Sequence, residues 1–191
     1  FCIFSKISPT SWSCENDKFV ENSKSCFVSV KIPDSVKSNY NFISNGCHVI
    51  DLLFYYFKNL KLIKSYKLKK NLGYYFLLQS KRKDLISCLL NWGSPQNFEI
   101  NLYNENFKRL ELKPFEKSFL YYKMVSLEPS KKNPIREYFP RLIKKKSELG
   151  SNLSYKPGFI EQYKEVSKVI KTKKNHKLTD LSTAIKILKL I

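Results

Sequence analysis

Apolar residues alternate with polar ones, or cluster with aromatic ones, in six short stretches of this chain that turn residues separate. β-Branched and aromatic residues in such stretches are typical of strands in a sheet. The predicted strands are Cys26–Ile32, Leu62–Leu68, Leu72–Gln79, Phe98–Tyr103, Phe107–Leu112 and Ser118–Ser126. Pro33 is expected to end the first strand, because proline cannot donate a hydrogen bond to a neighbouring strand.

A different spacing appears between Cys47 and Leu60, where apolar residues recur every three or four positions. This spacing places them on one face of an α-helix. Phe159–Lys171 is predicted as a second, shorter helix. The apolar run Ala184–Ile191 predicts a terminal strand.

The segment Ser80–Asn97 lacks a clear period. It opens with a run of basic residues and contains the turn signal Gly93-Ser94-Pro95. We therefore predict a basic loop here, with one helical turn from Asp84 to Leu90.

Three prolines among lysines between Glu128 and Pro140 indicate a domain junction. We predict an α+β protein with two small domains. Residues 25–128 form an N-terminal strand-helix-strand sheet domain with an insertion near 80–97, and residues 129–191 form a mostly β C-terminal domain. Residues 1–24 are predicted to be an N-terminal arm.

Positive charge is in large excess along the chain. Thirty-five Lys and Arg residues stand against 16 Asp and Glu, which gives a net charge of +19. A chain with this charge needs an anionic partner to offset its self-repulsion. No apolar run approaches the roughly 18 residues of a membrane-spanning helix, so no membrane span is expected. A nucleic acid backbone is the favoured partner.

Groups that could form a catalytic site are few. The sequence has two histidines, lacks the Gly-x-Gly-x-x-Gly and phosphate-loop motifs, and scatters its carboxylates among lysines. His48 is expected to be an ordinary partly buried or surface histidine, and His176 lies in a run of lysines. We expect no enzymatic activity, no small-molecule substrate, no cofactor and no metal.

Composition indicates an AT-rich gene, such as those of organelles. Lys greatly outnumbers Arg, Ala occurs once, and Asn, Ile, Phe and Tyr are abundant. A mitochondrial matrix location is expected, with a plastid as the alternative. The cysteines lie far apart and are expected to be reduced and buried; they are Cys2, Cys14, Cys26, Cys47 and Cys88.

Several motifs occur in an order that resembles the bacterial small-subunit ribosomal protein number eight, the S-eight family. A strand ends in Val30-Lys31-Ile32-Pro33, and a helix is followed by an exit in which Ile63 and Tyr66 have the family's spacing. The later matches are Val125–Ser130, Glu148–Gly150, Leu153–Ile160, Lys164–Lys168 and Lys186–Ile191.

The resemblance implies a structural constituent of the mitochondrial small ribosomal subunit. It would bind small-subunit ribosomal RNA and neighbouring ribosomal proteins. The family's RNA-binding loop corresponds to Ser154, Tyr155, Lys156, Pro157 and Gly158. The nearby basic residues expected to contact phosphates are Lys131, Lys132, Arg136, Lys144, Lys145 and Lys146.

Two other interpretations remain open from the sequence. The chain could be another organellar ribosomal or assembly protein that binds RNA without the S-eight fold. It could also be a lineage-specific, non-catalytic subunit of a mitochondrial protein complex.

Overall fold

A computed structural model describes residues 18–34, 46–69, 72–92, 94–115, 117–147, 159–174 and 181–189. In these residues the chain forms one eight-stranded sheet, three helices and a helical turn at 18–21. The strands are β1 (Cys26–Asp34), β2 (Lys61–Lys67), β3 (Gly73–Gln79), β4 (Leu85–Trp92), β5 (Glu99–Asn104), β6 (Lys108–Leu112), β7 (Lys117–Leu127) and β8 (Glu137–Ser147). The helices are α1 (Cys47–Phe57), α2 (Phe159–Thr172) and α3 (Leu181–Leu188).

The strand order across the sheet is β2-β3-β4-β1-β5-β6-β7-β8. Neighbouring strands are antiparallel except for β1 and β4, which are parallel. The α+β class predicted from the sequence is confirmed, with a sheet that dominates the fold. Six of the seven predicted strands and both predicted helices are present, and their bounds shift by only a few residues.

One predicted loop is a central strand. The segment assigned to an insertion near 80–97, with a helical turn from Asp84, contains β4, which pairs with β1 on one side and β3 on the other. Ile86, Cys88 and Leu90 alternate along it and are fully buried. The predicted loop and helical turn are therefore wrong, because the basic turn before β4 masked the two-residue period that follows it; the insertion stays a prediction.

Pro33 does not end β1, which continues to Asp34 and keeps its pairing with β4. Strand β5 pairs with β1 only as far as Lys31. Pro33 lies beyond this point, so its lack of an amide hydrogen removes no hydrogen bond between β1 and β5. The predicted terminal strand is also wrong. It is the helix α3, whose Ile187 is 1% exposed, and a short apolar run of this kind fits either element.

The predicted junction between residues 128 and 129 falls in the connection between β7 and β8. These two strands pair along most of their length, so both sides of the junction contribute to one sheet. Pro140 lies inside β8 opposite Met124, where the register shifts, and an edge strand tolerates it there. The division into two folding units stays a prediction.

The two faces of the sheet differ. Val28, Val30 and Ile32 of β1 are at most 1% exposed and point to one side, which we term the covered face. Helix α1 lies there, buries most of its apolar residues in the same core, and contacts α3. The opposite side, the open face, carries polar and aromatic side chains.

Glu99 organises the middle of the open face. Its carboxylate accepts a hydrogen bond from Asn101 Nδ2 at 2.6 Å and lies 2.8 Å from Lys113 Nζ and 3.5 Å from Lys31 Nζ. Burial alone would raise the pKa of Glu99, but these donors outweigh it and hold the pKa below its usual value. Charge pairing thus orders this part of the open face.

Both edge strands carry features that prevent pairing with another sheet. Strand β2 is exposed along its whole length, has a register shift after Leu62, and carries three lysines. Strand β8 contains Pro140, two register shifts against β7, and the lysine run 144–146. Charges, bulges and proline are the usual means of blocking a sheet edge.

A buried carboxylate joins the strands at the end of the sheet where β1 and β4 begin. Asp84 is fully buried and accepts hydrogen bonds from the Cys26 amide at 2.8 Å, from Ser80 Oγ at 2.5 Å and from Arg82. Arg82 also donates to the carbonyl oxygen of Val20 at 2.7 Å, within the helical turn at 18–21. This network fixes the start of both parallel strands.

Asp84→Asn should lower the free energy of unfolding by about 3 kcal/mol. This is the low end of the loss expected when one partner of a buried ion pair is removed, because Arg82 keeps 35% of its side chain exposed. Burial favours the neutral acid, yet the donors hold the pKa of Asp84 below its usual value. Its stabilisation is therefore complete above about pH 4 and is lost as the pH falls through the folded pKa.

Urea unfolding at several pH values measures both effects. Glu128→Gln is the matched control, because the Glu128–Arg136 pair is exposed and its loss should change stability by less than about 1 kcal/mol. Equal acid sensitivity in wild type and Asp84→Asn would contradict the role given to the network.

Gly73, at the start of β3, has a backbone conformation that requires glycine. Its φ is +145°, and a Cβ atom there would lie 1.8 Å from the carbonyl oxygen of Leu90 in β4. We expect Gly73→Ala to lower the free energy of unfolding by more than ~1 kcal/mol. Thermal unfolding tests this against Ser65→Ala on the exposed strand β2; equal stability of the two variants would be inconsistent with the close approach.

Candidate functional site

Helix α1 brings an ionisable pair to an otherwise apolar element. His48 is in its first turn and is partly buried, and Asp51 follows three residues later and is 1% exposed. Residues three apart lie on the same side of a helix. A buried carboxylate is costly unless it has partners, so Asp51 marks α1 as more than a packing element.

The strand register places the two ends of α1. Phe57 ends the helix just before β2, and Lys61 of β2 pairs with Gln79 of β3. Gln79 in turn pairs with Leu85 of β4, and Leu85 pairs with Phe27 of β1. That row is where β1 and β4 begin. A helix of this length spans about 16 Å, so His48 lies toward the opposite end, where the two parallel strands finish.

The His48 imidazole is expected to be uncharged near neutral pH. Burial disfavours its charged form and lowers its pKa from the usual 6.5. A neutral imidazole can accept a proton, and the imidazolium that results can return it. Ligands commonly bind beyond the carboxyl ends of parallel strands, which is the side of the sheet toward which His48 lies.

Metal ligands do not converge in the described ranges, where His, Cys, Asp and Glu nowhere gather in threes. The described cysteines, Cys26, Cys47 and Cys88, are free and buried, and burial raises the pKa of Cys88 well above its usual value. They match the reduced thiols predicted from the sequence, while Cys2 and Cys14 lie outside the described residues. Among the helices that the structure describes, none has the length and apolarity to cross a membrane.

The structure spreads the predicted RNA-contact residues over different surfaces. Lys131, Lys132 and Arg136 are exposed in the β7–β8 connection, and Arg136 Nε donates to Glu128 at 3.1 Å. In β8, Lys145 faces Phe119 on the open face, while Lys144 and Lys146 point to the other side. The loop Ser154–Gly158 lies outside the described residues. An RNA contact by any of these residues stays a prediction.

Comparison with known proteins identifies the fold. No known protein family and no curated protein matches the sequence. In structure, the chain is similar to a dehydrogenase from Chromobacterium violaceum, with a TM-score of 0.64 and 12% identity over 97% of this chain and 57% of that one. It is also similar to the UDP-N-acetylglucosamine 3-dehydrogenase GnnA from Acidithiobacillus ferrooxidans, with a TM-score of 0.62 and 4% identity over the same shares.

A third similar structure is a 3-ketoreductase from Actinomadura kijaniata in complex with NADP, with a TM-score of 0.56 and 10% identity over 98% of this chain and 56% of that one. The chain thus spans little more than half the length of the oxidoreductases that it matches. At these identities the likeness establishes the fold.

These findings correct the ribosomal interpretation. The three structural neighbours described above are oxidoreductases and none is a ribosomal protein, so the resemblance to the S-eight family is wrong. The function in the small ribosomal subunit, the partners ribosomal RNA and ribosomal proteins, and the exclusion of an enzyme and a small-molecule substrate are wrong with it. The motifs behind that resemblance are short strand and turn patterns that many α+β proteins share.

The described residues do not form a cradle for a nicotinamide dinucleotide such as the NADP that one of these neighbours holds. Dinucleotides bind where a strand passes through a short glycine turn into a helix. No such strand-turn-helix unit occurs in the described ranges, and the sequence has no Gly-x-Gly-x-x-Gly. No step of chemistry is therefore assigned to such a cofactor in this chain.

Sequence reasoning did not single out His48 as a candidate, since the apolar spacing of α1 dominated the interpretation of this segment. The signal was present in Gly46-Cys47-His48-Val49-Ile50-Asp51, where a histidine and an aspartate three apart interrupt an apolar helix. Ionisable groups at buried helical positions are candidates for functional sites because their burial is costly.

We expect the His48 imidazole to titrate below 6.5, as its burial requires. NMR of the ring protons against pH measures this, and His48→Gln assigns the resonance, because the sequence has one other histidine, His176. A midpoint at or above 6.5 would contradict burial as the dominant influence on the pKa of this ring.

Proposed function

We propose that this chain is the sheet-forming part of an oxidoreductase that interconverts a hydroxyl and a carbonyl group on a small molecule. The observation that carries the proposal is the sheet itself. Its eight strands, with one parallel pair, align over 97% of the chain with a dehydrogenase at a TM-score of 0.64. Two other similar structures are a sugar-nucleotide 3-dehydrogenase and a 3-ketoreductase, which act on groups of this kind.

The proposal divides the work between two parts of the enzyme. One neighbour holds NADP, and this chain aligns with 56% of that protein. Since the described residues form no dinucleotide cradle, we assign cofactor binding to the part of such an enzyme that has no counterpart here. The part described here would bind the substrate and handle its proton.

His48 is the residue to which we assign proton transfer. Interconversion of an alcohol and a ketone moves one proton at the oxygen atom, and a neutral imidazole accepts it in the direction of alcohol oxidation. Burial keeps the imidazole neutral at pH 7, as this role requires.

Two sequence predictions continue as proposals. An organellar location, mitochondrial or plastid, is supported by the composition of an AT-rich gene. The division into folding units near residue 129 is supported by the proline-rich connection between β7 and β8.

The test is an assay of the intact protein that contains this chain, with NADP or NADPH and a panel of hydroxy and keto sugars. His48→Gln should lower kcat by about 10²–10⁴-fold with the cofactor affinity unchanged. In wild type, alcohol oxidation should decline as the pH falls through the pKa of His48, below 6.5. The variant should lack this decline.

His176→Gln is the matched control, because it removes the second histidine of the sequence. An intact protein that neither binds nor turns over a nicotinamide cofactor would contradict the proposed function. Wild-type kcat and pH dependence in His48→Gln would contradict the role of His48 and leave the oxidoreductase assignment in place.

A further inference from the structure

A groove of about 600 Å³ opens on the open face, beside the turn that joins β5 to β6. We term it the aromatic groove. Its apolar walls are Tyr103, Phe107, Tyr121, Met124 and Pro140. Phe107 is 74% exposed and Met124 is 60% exposed, so both side chains are available to a bound molecule. The volume lies in the usual range for small-molecule sites, about 300–1,000 Å³.

Two residues of the groove have a backbone conformation that side chains rarely adopt. Phe107 has φ +57° and Lys123 has φ +58°, and the Lys123 amide donates to the carbonyl oxygen of Phe107 at 3.1 Å. A bulky aromatic residue in the left-handed region is an outlier, since glycine or asparagine is usual in such a turn. Strain of this kind persists where the surroundings hold it and concentrates at binding sites.

Among the residues that the structure describes, the charged ones that line the groove are Lys108, Arg109 and Lys123, and the neutral Asn104 lines it too. The Arg109 guanidinium lies 4.3 Å from the centre of the Tyr121 ring, and one of its amino groups is 3.1 Å from Glu111. Its Nε is buried and has no hydrogen-bond partner within the described residues. The groove thus pairs flat aromatic walls with positive charge.

This groove is separate from the site around His48. Asn104, at the end of β5, pairs with Cys26 at the start of β1, so the β5–β6 turn lies at the end of the sheet where the parallel strands begin. His48 lies toward the other end, on the helix of the covered face. A ligand in the groove would therefore not contact the residues assigned to proton transfer.

We propose that the aromatic groove binds a small molecule that joins a planar aromatic ring to an anionic group. The ring stacks among Phe107, Tyr103 and Tyr121, and the anion faces Arg109 and Lys123. A nucleoside monophosphate and an aromatic carboxylate both have this chemistry. The site is additional to the proposed oxidoreductase function and does not depend on it.

The test is calorimetric titration of the 191-residue chain with four probes: adenosine monophosphate, indole-3-carboxylate, adenosine and inorganic phosphate. We expect saturable binding of at least one of the two aromatic anions. Adenosine and phosphate, which each lack one half of the ligand, should bind at least about tenfold more weakly. The tighter of the two anions identifies whether the ligand is of the phosphate or the carboxylate kind.

Variants separate the ring contact from the charge. Phe107→Ala should weaken binding at least about fivefold through lost stacking, and Tyr163→Ala is its control, because Tyr163 is 72% exposed on α2. Lys123→Asn removes a charge while keeping a residue that tolerates the left-handed conformation. It should weaken binding and reduce its salt dependence, whereas Lys164→Asn on α2 should not.

Three results would overturn the proposal. The first is no saturable binding of either aromatic anion, and the second is equal binding by wild type and Phe107→Ala. The third is sedimentation of a dimer that Phe107→Ala dissociates, which would assign the groove to contact between two copies of the chain.

Discussion

The parallel pairing of β1 with β4 is the constraint on which the rest of this structure depends. Parallel neighbours cannot be joined by a tight turn, so the chain between them must cross over and return. Helix α1 and strands β2 and β3 form this connection, which brings α1 onto one face of the sheet. The covered face, its core and the position of His48 all follow from that crossing.

The hydrogen bonds of Asp84 fix the starting points of the parallel strands β1 and β4 relative to each other. The Asp84 carboxylate accepts from the Cys26 amide at the beginning of β1 and from Arg82 just before β4. Arg82 in turn binds the carbonyl oxygens of Val20 and Ser23, which anchors the segment that leads into β1. A buried carboxylate without these donors would be strongly destabilising, so one interaction determines where both central strands begin.

Sequence patterns predicted those helices and strands whose type is determined by the spacing of their own apolar residues. The spacing of apolar residues was sufficient for α1 and for β5 to β7, because it reports which side of an element is buried. It failed for β4, where the basic turn before the strand hid the period of Ile86, Cys88 and Leu90, and for α3, whose short apolar run fits strand and helix alike. The strand order could not be predicted, because pairing of β1 with β4 joins residues far apart in the chain. His48 was dismissed for a related reason, since its burial depends on packing that no sequence pattern shows.

The positive charge illustrates the same limit. Taken over the whole sequence it suggested an RNA partner, but part of it lies on the two edge strands of the sheet. The lysines of β2 and β8 there discourage pairing with other chains, a role that needs no partner. Arg109 and Lys123 differ, since they line a groove with aromatic walls, where Arg109 also pairs with Glu111 at 3.1 Å. Positive charge is evidence for a ligand where the fold gathers it around a concave apolar surface. Arg109 meets this condition best, because its Nε is buried and lacks a hydrogen-bond partner in the described part of the chain.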